Sequence, residues 1–596
     1  MAEKNPYFVD ESKPWFTSEA GWPDEVPKNL EFPKKTLGDF LRDRAKATPD
    51  LPAIWFLDHR ITYAELDDMV DRFAAGLHAA GMRKGDVFAM ALPNCFQYIV
   101  GYYASSRIGV ITTGVNPTYK SGEVKHQLEI CGVSGILYLD SLYETMLEPI
   151  IDGLDFKFHA STNVVDQVAS LSGMKKFLGK RMGKIPTGKV HPRSIKYLDM
   201  LKKGKDYPDV DVDPMSAHTY IMTGGTTGVP KAAVLSHFNC VSNAIQAKSW
   251  LFKAAEGLCN VGVLPLFHSF AMTAVMNSSV AVGAWMMLFP RPPKTEELVD
   301  TIVKHGPDDG VMYCGAEVLF QRLTEMEGIE NSPINKKMAL CISGAGPLHR
   351  PVQEAFEAKT GGRLVEGYGL TETSPVLSAS PFWGNRVIGS IGLPFPGTDW
   401  MIRDAGDFTK PKEMVDIDAG EEPDQEKHMG EICAAGPQIM VGYLNKPDET
   451  ADTIIEDGGK RWLLTGDIGY MDTHGRIYIR DRKKQLIKVR GYSVFPKEVE
   501  ELVGVNDAVN EVAVAGLPDK EMGEKIKAWV VLNPGYEGKI TPDELRAWCK
   551  ENMTHYKVPG YIEFIEELPK TLVGKVLRRV LQEADPIWKT YHDEAE

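Results

Sequence analysis

The stretch Tyr220-Ile-Met-Thr-Gly-Gly-Thr-Thr-Gly-Val-Pro-Lys231 joins an apolar run to a loop of glycines and threonines. The run into Met222 reads as a strand. The loop after it supplies Gly224, Gly225 and Gly228, with hydroxyls on Thr223, Thr226 and Thr227. Glycines let backbone N–H groups approach a phosphate with no Cβ in the way. The hydroxyls add donors and Lys231 adds charge, so the composition is that of a phosphate cradle. It is not a Walker A loop: Pro230 precedes the lysine and Ala232 follows it, where that loop has Gly and then Ser or Thr. A P-loop NTPase is disfavoured on that ground. Taken alone, the loop also reads as a plain turn.

Upstream, the chain alternates helix and strand. Thr62-Tyr-Ala-Glu65 fits a capping box. Leu66, Val70, Phe73, Ala74 and Leu77 follow at helical spacing, and Gly81 ends the helix. A short apolar run over 87–92 reads as a buried strand ending at Pro93, and the alternation recurs at 111–112 and 136–138. This pattern predicts α/β layers around a largely parallel sheet. Residues 261–290 carry no Asp, Glu, Lys or Arg and are long enough to span a bilayer. Pro265, His268, Asn277 and Ser278 interrupt them, so a helix buried inside a large soluble protein is expected.

Two stretches break the rhythm. Residues 404–426 are acidic and polar and read as a surface excursion. Residues 155–213 include a run with seven Lys or Arg and no acid: Lys175, Lys176, Lys180, Arg181, Lys184, Lys189 and Arg193. Phe177, Leu178, Met182 and Ile185 interleave with them. Two readings stay open, a solvated surface insertion or a peripheral contact with anionic lipid, which attracts each basic residue by about 1 kcal/mol.

The whole chain has 596 residues, which favours several structural units. Apolar residues are 43% and charged residues 25%, ordinary globular usage that argues against wholesale disorder. Lys plus Arg is 67 against Asp plus Glu at 82, a formal charge of −15, which disfavours general nucleic-acid binding. The 8 cysteines form no CxxC pair, so neither a zinc nor a dithiol signature is present, and buried free thiols in a reducing compartment are expected. The N-terminal residues lack an apolar secretory segment and the C-terminal HDEAE lacks a lipidation box. A cytoplasmic location is the expectation, with a peripheral membrane association left open, and a homodimer is left open too. Residues 494–580 hold their own strands, at 511–515 and 527–532, and their own helices. They predict a separate C-terminal domain of about 110 residues.

Four further motifs change the weight of the glycine-rich loop. Gly367-Tyr-Gly-Leu-Thr-Glu-Thr373 puts an aromatic ring, hydroxyls and a carboxylate after a short apolar strand. Thr465-Gly-Asp467 follows Trp462 and two leucines. Asp481-Arg-Lys-Lys-Gln-Leu-Ile-Lys488 leads to Gly491, and Pro569-Lys-Thr-Leu-Val-Gly-Lys575 lies near the C-terminus. Singly, Asp467 reads as a turn cap, Glu372 as a helix-start acid and Lys575 as a solvated charge.

In this order and spacing the motifs resemble those of adenylate-forming enzymes: acyl-CoA synthetases, firefly luciferase and peptide-synthetase adenylation domains. The resemblance runs from about residue 37 to 581. It is greatest to medium- and long-chain fatty acyl-CoA synthetases, notably in NPTYKSGEVKHQLE (116–129) and GYGLTETSPV (367–376). It implies a multidomain α/β fold: a large N-terminal domain of α/β sheets with a distorted β-barrel (1–484), and a small mobile α+β C-terminal domain (485–596).

By matching position, the resemblance implies that Thr223, Gly224, Gly225, Thr226, Thr227, Gly228 and Lys231 hold the ATP phosphates. It implies that Glu372 coordinates Mg²⁺ and that Thr371 lies near the α-phosphate. Tyr368 stacks on adenine in a pocket lined by Gly344, Ala345 and Gly346. Asp467 accepts the ribose hydroxyls, Arg482 contacts ribose and phosphate, and Lys484 is the hinge. Lys575 is the adenylation lysine. After rotation of the C-terminal domain, Gly491 and Lys488 face the coenzyme A tunnel. His268 lies at the mouth of an acyl site built around 268–275, 311–317 and 344–348, with small residues at Ala271, Ala274 and Gly315.

The chain departs from the family pattern in three places. Gly224 stands where the family has Ser, and Ala232 where it has Gly. The lost hydroxyl removes one charge-assisted contact of about 1–3 kcal/mol, which backbone N–H groups can replace. Glu317 stands where Pro or Asn is usual, and reads either as a paired structural carboxylate or as a substrate-shaping group. The implied activity is an AMP-forming acid–thiol ligase using ATP, Mg²⁺ and coenzyme A on a carboxylic acid. An apolar pocket lining suits a medium- or long-chain fatty acid. An aryl- or dicarboxylate-CoA ligase, a ligase loading carrier-protein phosphopantetheine, and a catalytically silent binding protein are the alternatives.

Overall fold

The computed structural model describes residues 6–223, 230–489, 492–519, 523–570 and 576–593. The chain forms two compact units, one of Met1–Asp399 with Ala434–Leu463, the other of Trp400–Cys433 with Leu464–Glu596.

In the first unit the predicted alternation is present. The Thr62 hydroxyl accepts the Glu65 N–H at 3.2 Å while Glu65 Oε2 accepts the Thr62 N–H at 2.7 Å, which starts the helix Tyr63–Ala79. Leu66, Val70, Phe73, Ala74 and Leu77 form its buried side. Gly81 lies just past its end at φ 98°. The strand Val87–Ala91 is buried throughout, as expected for the middle of a covered parallel sheet.

That strand belongs to an eight-stranded sheet in the order Gly442–Tyr443, Lys231–Ser236, Ala217–Thr223, Ile111–Gly114, Val87–Ala91, Val133–Leu139, Phe158–Thr162 and Ile195–Lys196. It is parallel from Ala217–Thr223 onward, while the strands Lys231–Ser236 and Gly442–Tyr443 close one edge antiparallel. A second sheet of nine strands is parallel from Arg363–Gly369 through Met338–Ser343, Val311–Gly315, Cys259–Gly262 and Trp285–Leu288 to Pro52–Phe56. Its antiparallel edges are His59–Thr62 on one side and Val376–Ala379 with Leu393–Pro394 on the other.

The uncharged stretch is not one helix. It divides into the strand Cys259–Gly262, the helical turns Ser269–Ala271, Met272–Asn277 and Ser278–Val282, and the strand Trp285–Leu288. Gly283, in the left-handed region at φ 85°, stops the helical part. The strand after it is inserted between Cys259–Gly262 and Pro52–Phe56, which explains its unbroken apolarity. No helix among the described residues is long and apolar enough to cross a membrane.

In the second unit, the polar region 404–426 contains one further strand, Asp407–Pro411, paired antiparallel with Asp399–Asp404. These strands belong to a six-stranded sheet. Farther along, Val509–Asp519 and Gly523–Leu532 form a long antiparallel pair, with Tyr561–Phe564 parallel to the latter. Side chains alternate along it as period two requires. Val514 faces Val499, Val503 and Leu545 of the helices on one side. Ala513, Ala515 and Leu517 face Leu568 on the other. All eight cysteines are free and buried. Burial pushes the thiols of Cys95, Cys240 and Cys314 up to about 12.

One core feature is expected to make the fold acid-sensitive. The rings of His218 and His237 lie 4.6 Å apart, both fully buried. Neither nitrogen of His218, nor Nε2 of His237, has a hydrogen-bond partner among the described residues. Burial holds His218 well below the usual imidazole range and brings His237 down to about 4. A folded-state pKa depressed below the unfolded value of about 6.5 contributes stability that is complete above that value and lost as pH falls toward the folded pKa. The urea midpoint is therefore expected to fall between pH 6.5 and about 4, and His218→Leu to flatten that slope. An unchanged slope in the variant would assign the acid sensitivity elsewhere.

Candidate active site

The strands Ala217–Thr223 and Lys231–Ser236 pair antiparallel with Thr223 opposite Lys231, so the glycine-rich loop is the connection of a hairpin. Gly224, Gly225, Thr226, Thr227 and Gly228 lie outside the described residues. Lys231 forms an ion pair with Glu449, and its Nζ lies 5.1 Å from the centroid of the Tyr443 ring. Glu449 also faces Lys446 at 3.3 Å. Tyr443 arrives through the edge strand Gly442–Tyr443, hydrogen-bonded opposite Ala233. The same tyrosine hydroxyl donates to Glu372 Oε1 at 2.8 Å. Lys231, Tyr443, Glu449 and Glu372 thus form one connected set.

Glu372 sits in the short turn Thr371–Thr373, between the antiparallel strands Arg363–Gly369 and Val376–Ala379. Gly369 must be glycine here, because a Cβ would collide with the Pro375 carbonyl oxygen. Three distant segments hold the turn. Asn243, in the helix His237–Trp250, donates to Val376 O at 2.8 Å and accepts from Val376 N at 3.0 Å. Thr273 Oγ1 donates to Ser374 O at 2.5 Å. Ser374 Oγ donates to Gln438 O at 2.9 Å, and Met440 N donates to Glu372 O at 2.8 Å. Asn243, Thr273 and Gln438 are fully buried, so these bonds are shielded from water. The Thr371 hydroxyl lies 3.2 Å from that of Ser269.

Tyr368 is half-buried on the strand Arg363–Gly369, with Ser378 as its neighbour across the pair. Gly344 N donates to Gly315 O at 3.0 Å, and a Cβ on Gly344 would meet two atoms of the Phe270 ring at 3.0 Å. Ala345 follows at φ 66°, a left-handed conformation that costs a non-glycine residue about 1–2 kcal/mol. Gly346 follows it. His268 Nδ1 accepts the Phe270 N–H at 3.2 Å and so starts the turn Ser269–Ala271, where Ala271 is fully buried. Glu317 accepts the His349 N–H at 2.5 Å, and its carboxylate lies 2.9 Å from His349 Nδ1. That carboxylate links the start of the helix Glu317–Glu325 to the start of Arg350–Thr360.

In the second unit, Asp467 and Arg482 are directly opposed on the paired strands Lys460–Met471 and Ile477–Arg482, with Nε 2.6 Å from Asp467 Oδ1. Asp467 is 3% exposed, yet its charge is matched by the guanidinium. The buried Glu431 orients the preceding turn. It accepts the Gly466 N–H at 2.9 Å through one oxygen and pairs with Lys483 at 2.8 Å through the other. Lys484 is exposed in the turn Lys483–Gln485. Lys488 has an exposed side chain, and its N–H donates to Glu524 at 2.6 Å. Burial raises the Asp481 carboxyl, although it accepts N–H groups from Arg482 and Lys497, both at 2.7 Å. Gly491 and Lys575 lie outside the described residues.

The donor set fits ATP with Mg²⁺. Magnesium is held by one or two carboxylates plus substrate phosphates. Glu372 offers one fixed carboxylate, and no cage of three or more acidic, His or Cys side chains exists among the described residues. Asn243, Thr273, Gln438, Tyr443, Glu449 and Glu431 escaped the sequence reading. The only local signal was Gly442-Tyr443 flanked by apolar residues, which marks an edge strand and no chemistry.

Asn243 is the most exacting of these. Asn243→Leu strands the Val376 N–H in the core and leaves its carbonyl only the 3.4 Å bond from Gln438 Nε2, so a loss of about 1–3 kcal/mol in unfolding free energy is expected. Urea denaturation monitored by tryptophan fluorescence measures it. A loss under about 0.5 kcal/mol, the range of a neutral surface substitution, would contradict the clamp.

The AMP-binding enzyme family model matches residues 41–444, and the AMP-binding enzyme C-terminal domain matches 498–575. A long-chain-fatty-acid–CoA ligase of Bacillus subtilis (strain 168) is 36% identical, covering 97% of this chain and 99% of that protein. A long-chain-fatty-acid–CoA ligase of Yersinia pestis is 34% identical, covering 95% and 97%. Among solved structures, ATP-bound MatB from Rhodopseudomonas palustris superposes with a TM-score of 0.75 at 23% identity, covering 94% of this chain and 100% of that one, which speaks to the fold alone. On these matches, this chain belongs to the AMP-binding enzyme family.

Proposed function

We propose that this protein is an ATP-dependent fatty acid–CoA ligase. It forms an acyl-adenylate and pyrophosphate first, then acyl-CoA and AMP, on medium- or long-chain fatty acids. The observation that carries this reading is full-length similarity to long-chain-fatty-acid–CoA ligases, with Glu372 held on a strapped turn. The segments assigned to the acyl site support an alkyl substrate. Phe270, Ala271, Val311 and Leu348 are buried and apolar, and the one acid there, Glu317, is engaged with His349. Eight free, buried thiols suit a reducing compartment such as the cytoplasm.

A carboxylate is a poor acyl donor, and transfer to the α-phosphorus of ATP gives it a good leaving group. Charge grows on the phosphoryl oxygens in that step, so fixed positive groups aimed there do most of the work. Mg²⁺, when bound, neutralises phosphate charge beside Glu372. Tyr443 holds the Glu372 carboxylate in one orientation. Lys231, opposite Thr223 in the strand pair and ion-paired with Glu449, would supply positive charge to the phosphates. Asp467 and Arg482 form a preset pair for the ribose hydroxyls. Lys575 supplies the charge for adenylation, and a turn about Lys484 then exchanges it for the Lys488–Gly491 face, where the thiol attacks. Such alternation completes one site and dismantles the other.

Three measurements test this. Lys575→Ala is expected to lower acid-dependent pyrophosphate release by at least about 100-fold while sparing thioester formation from supplied acyl-AMP. Equal loss of both half-reactions would refute the alternating faces. Tyr443→Phe is expected to keep the fold, lower kcat about tenfold and raise the Mg²⁺ needed for half-maximal rate. Finally, a panel of aliphatic and aromatic acids should give the highest kcat/KM on saturated chains of medium or long length. A preference for aryl acids would replace the fatty-acid assignment and leave the adenylation chemistry intact.

A further inference from the structure

The helix Gly173–Arg181 carries its apolar side outward. The Ser172 hydroxyl accepts the Lys175 N–H at 3.3 Å to start it, and Gly183 at φ 69° turns the chain after it. The side toward the body of the first unit is made of Lys176, Gly179 and Lys180. Lys176 Nζ donates to Asp166 O at 3.0 Å, and a Cβ on Gly179 would lie 2.6 Å from Ile185 Cδ1. The opposite side holds Met174, Phe177, Leu178, Arg181 and Met182, at the spacing of one helical stripe. Their large apolar members are 74%, 63%, 46% and 62% exposed, for Met174, Phe177, Leu178 and Met182 in turn. No residue of this helix is buried.

Ordinary amphipathic helices turn such a stripe to the core, so an outward one marks a surface that something else covers. The charge around it says what. Lys175, Arg181 and Lys184 are exposed and have no ion pair among the described residues, while Lys189 and Arg193 pair with Glu144 and Asp152. This basic patch stands on a chain of net charge −15. Apolar tips ringed by cations match the boundary between anionic headgroups and acyl chains. We propose that the helix Gly173–Arg181 is a docking element for the surface of an anionic phospholipid bilayer. Met174, Phe177, Leu178 and Met182 enter the interface, and Lys175, Arg181 and Lys184 lie against the lipid phosphates. The assignment rests on this surface and does not depend on the proposed ligase activity.

Flotation of the full-length protein with vesicles tests it. Recovery is expected with phosphatidylcholine–phosphatidylglycerol vesicles and not with phosphatidylcholine alone. Added salt should weaken it. The combined Met174→Ser, Phe177→Ser, Leu178→Ser and Met182→Ser variant should bind at least about tenfold less. Lys175→Ala, Arg181→Ala and Lys184→Ala should each weaken binding by about fivefold. Thermal melting by circular dichroism should match wild type for all of them, since the altered side chains are exposed. No flotation on anionic vesicles, equal flotation on neutral ones, or undiminished flotation of the serine variant would each overturn the proposal. Concentration-dependent self-association that the serine variant abolishes, in a protein that ignores vesicles, would assign the face to a second copy and overturn it likewise.

Discussion

Two hydrogen bonds from one buried amide, Asn243 to the N–H and carbonyl of Val376, set the geometry of the first unit's site. They fix the strand that leaves the turn bearing Thr371 and Glu372. Because Thr273, Gln438 and Met440 hold the rest of that turn, four separated parts of the chain meet on a few residues. In the proposed reaction Glu372 would serve the phosphates through Mg²⁺, and that role needs such a frame, since a mobile side chain would spend its interaction energy on becoming ordered. Tyr443 finishes the arrangement by holding one carboxylate oxygen while also lying beneath Lys231.

Legibility in the sequence followed the range of the interaction. The capping box at Thr62 and the strands expected at 87–92 and 511–515 declare themselves through neighbours a few residues away, and strands stand there at 87–91 and, longer than expected, at 509–519. Asn243 and Val376 are 133 residues apart, and a lone Asn in a helix carries no sign that it will serve a distant strand. Glu449 is equally silent, since it becomes a partner of Lys231 only after the strand Gly442–Tyr443 joins the sheet. The uncharged run at 261–290 holds the expected buried helical part at 269–282 but also strands, for a different reason. Continuous apolarity describes a buried strand as well as a buried helix, and only Gly283 separates the two. In residues 173–182 the composition was visible, but which side of the helix faced water was not.

The stretch around Lys484 is bridged by more than covalent bonds. Asp481, before it, accepts the N–H of Lys497, after it, through a largely buried carboxylate. A turn of the chain about Lys484, as proposed above, would have to release that bond and expose the carboxylate, whose acidity burial lowers. The Arg578–Glu500 pair joins two segments that both follow Lys484 in the chain.

The sequestered thiols acquire a meaning from the chemistry proposed above. An enzyme that prepares an activated acyl group for a sulfur nucleophile is in danger of acylating itself. All eight of its own thiols are buried, and burial raises those of Cys95, Cys240 and Cys314 to about 12. The incoming thiol therefore has no competitor from within the protein, and selectivity for the acceptor begins with the placement of the cysteines.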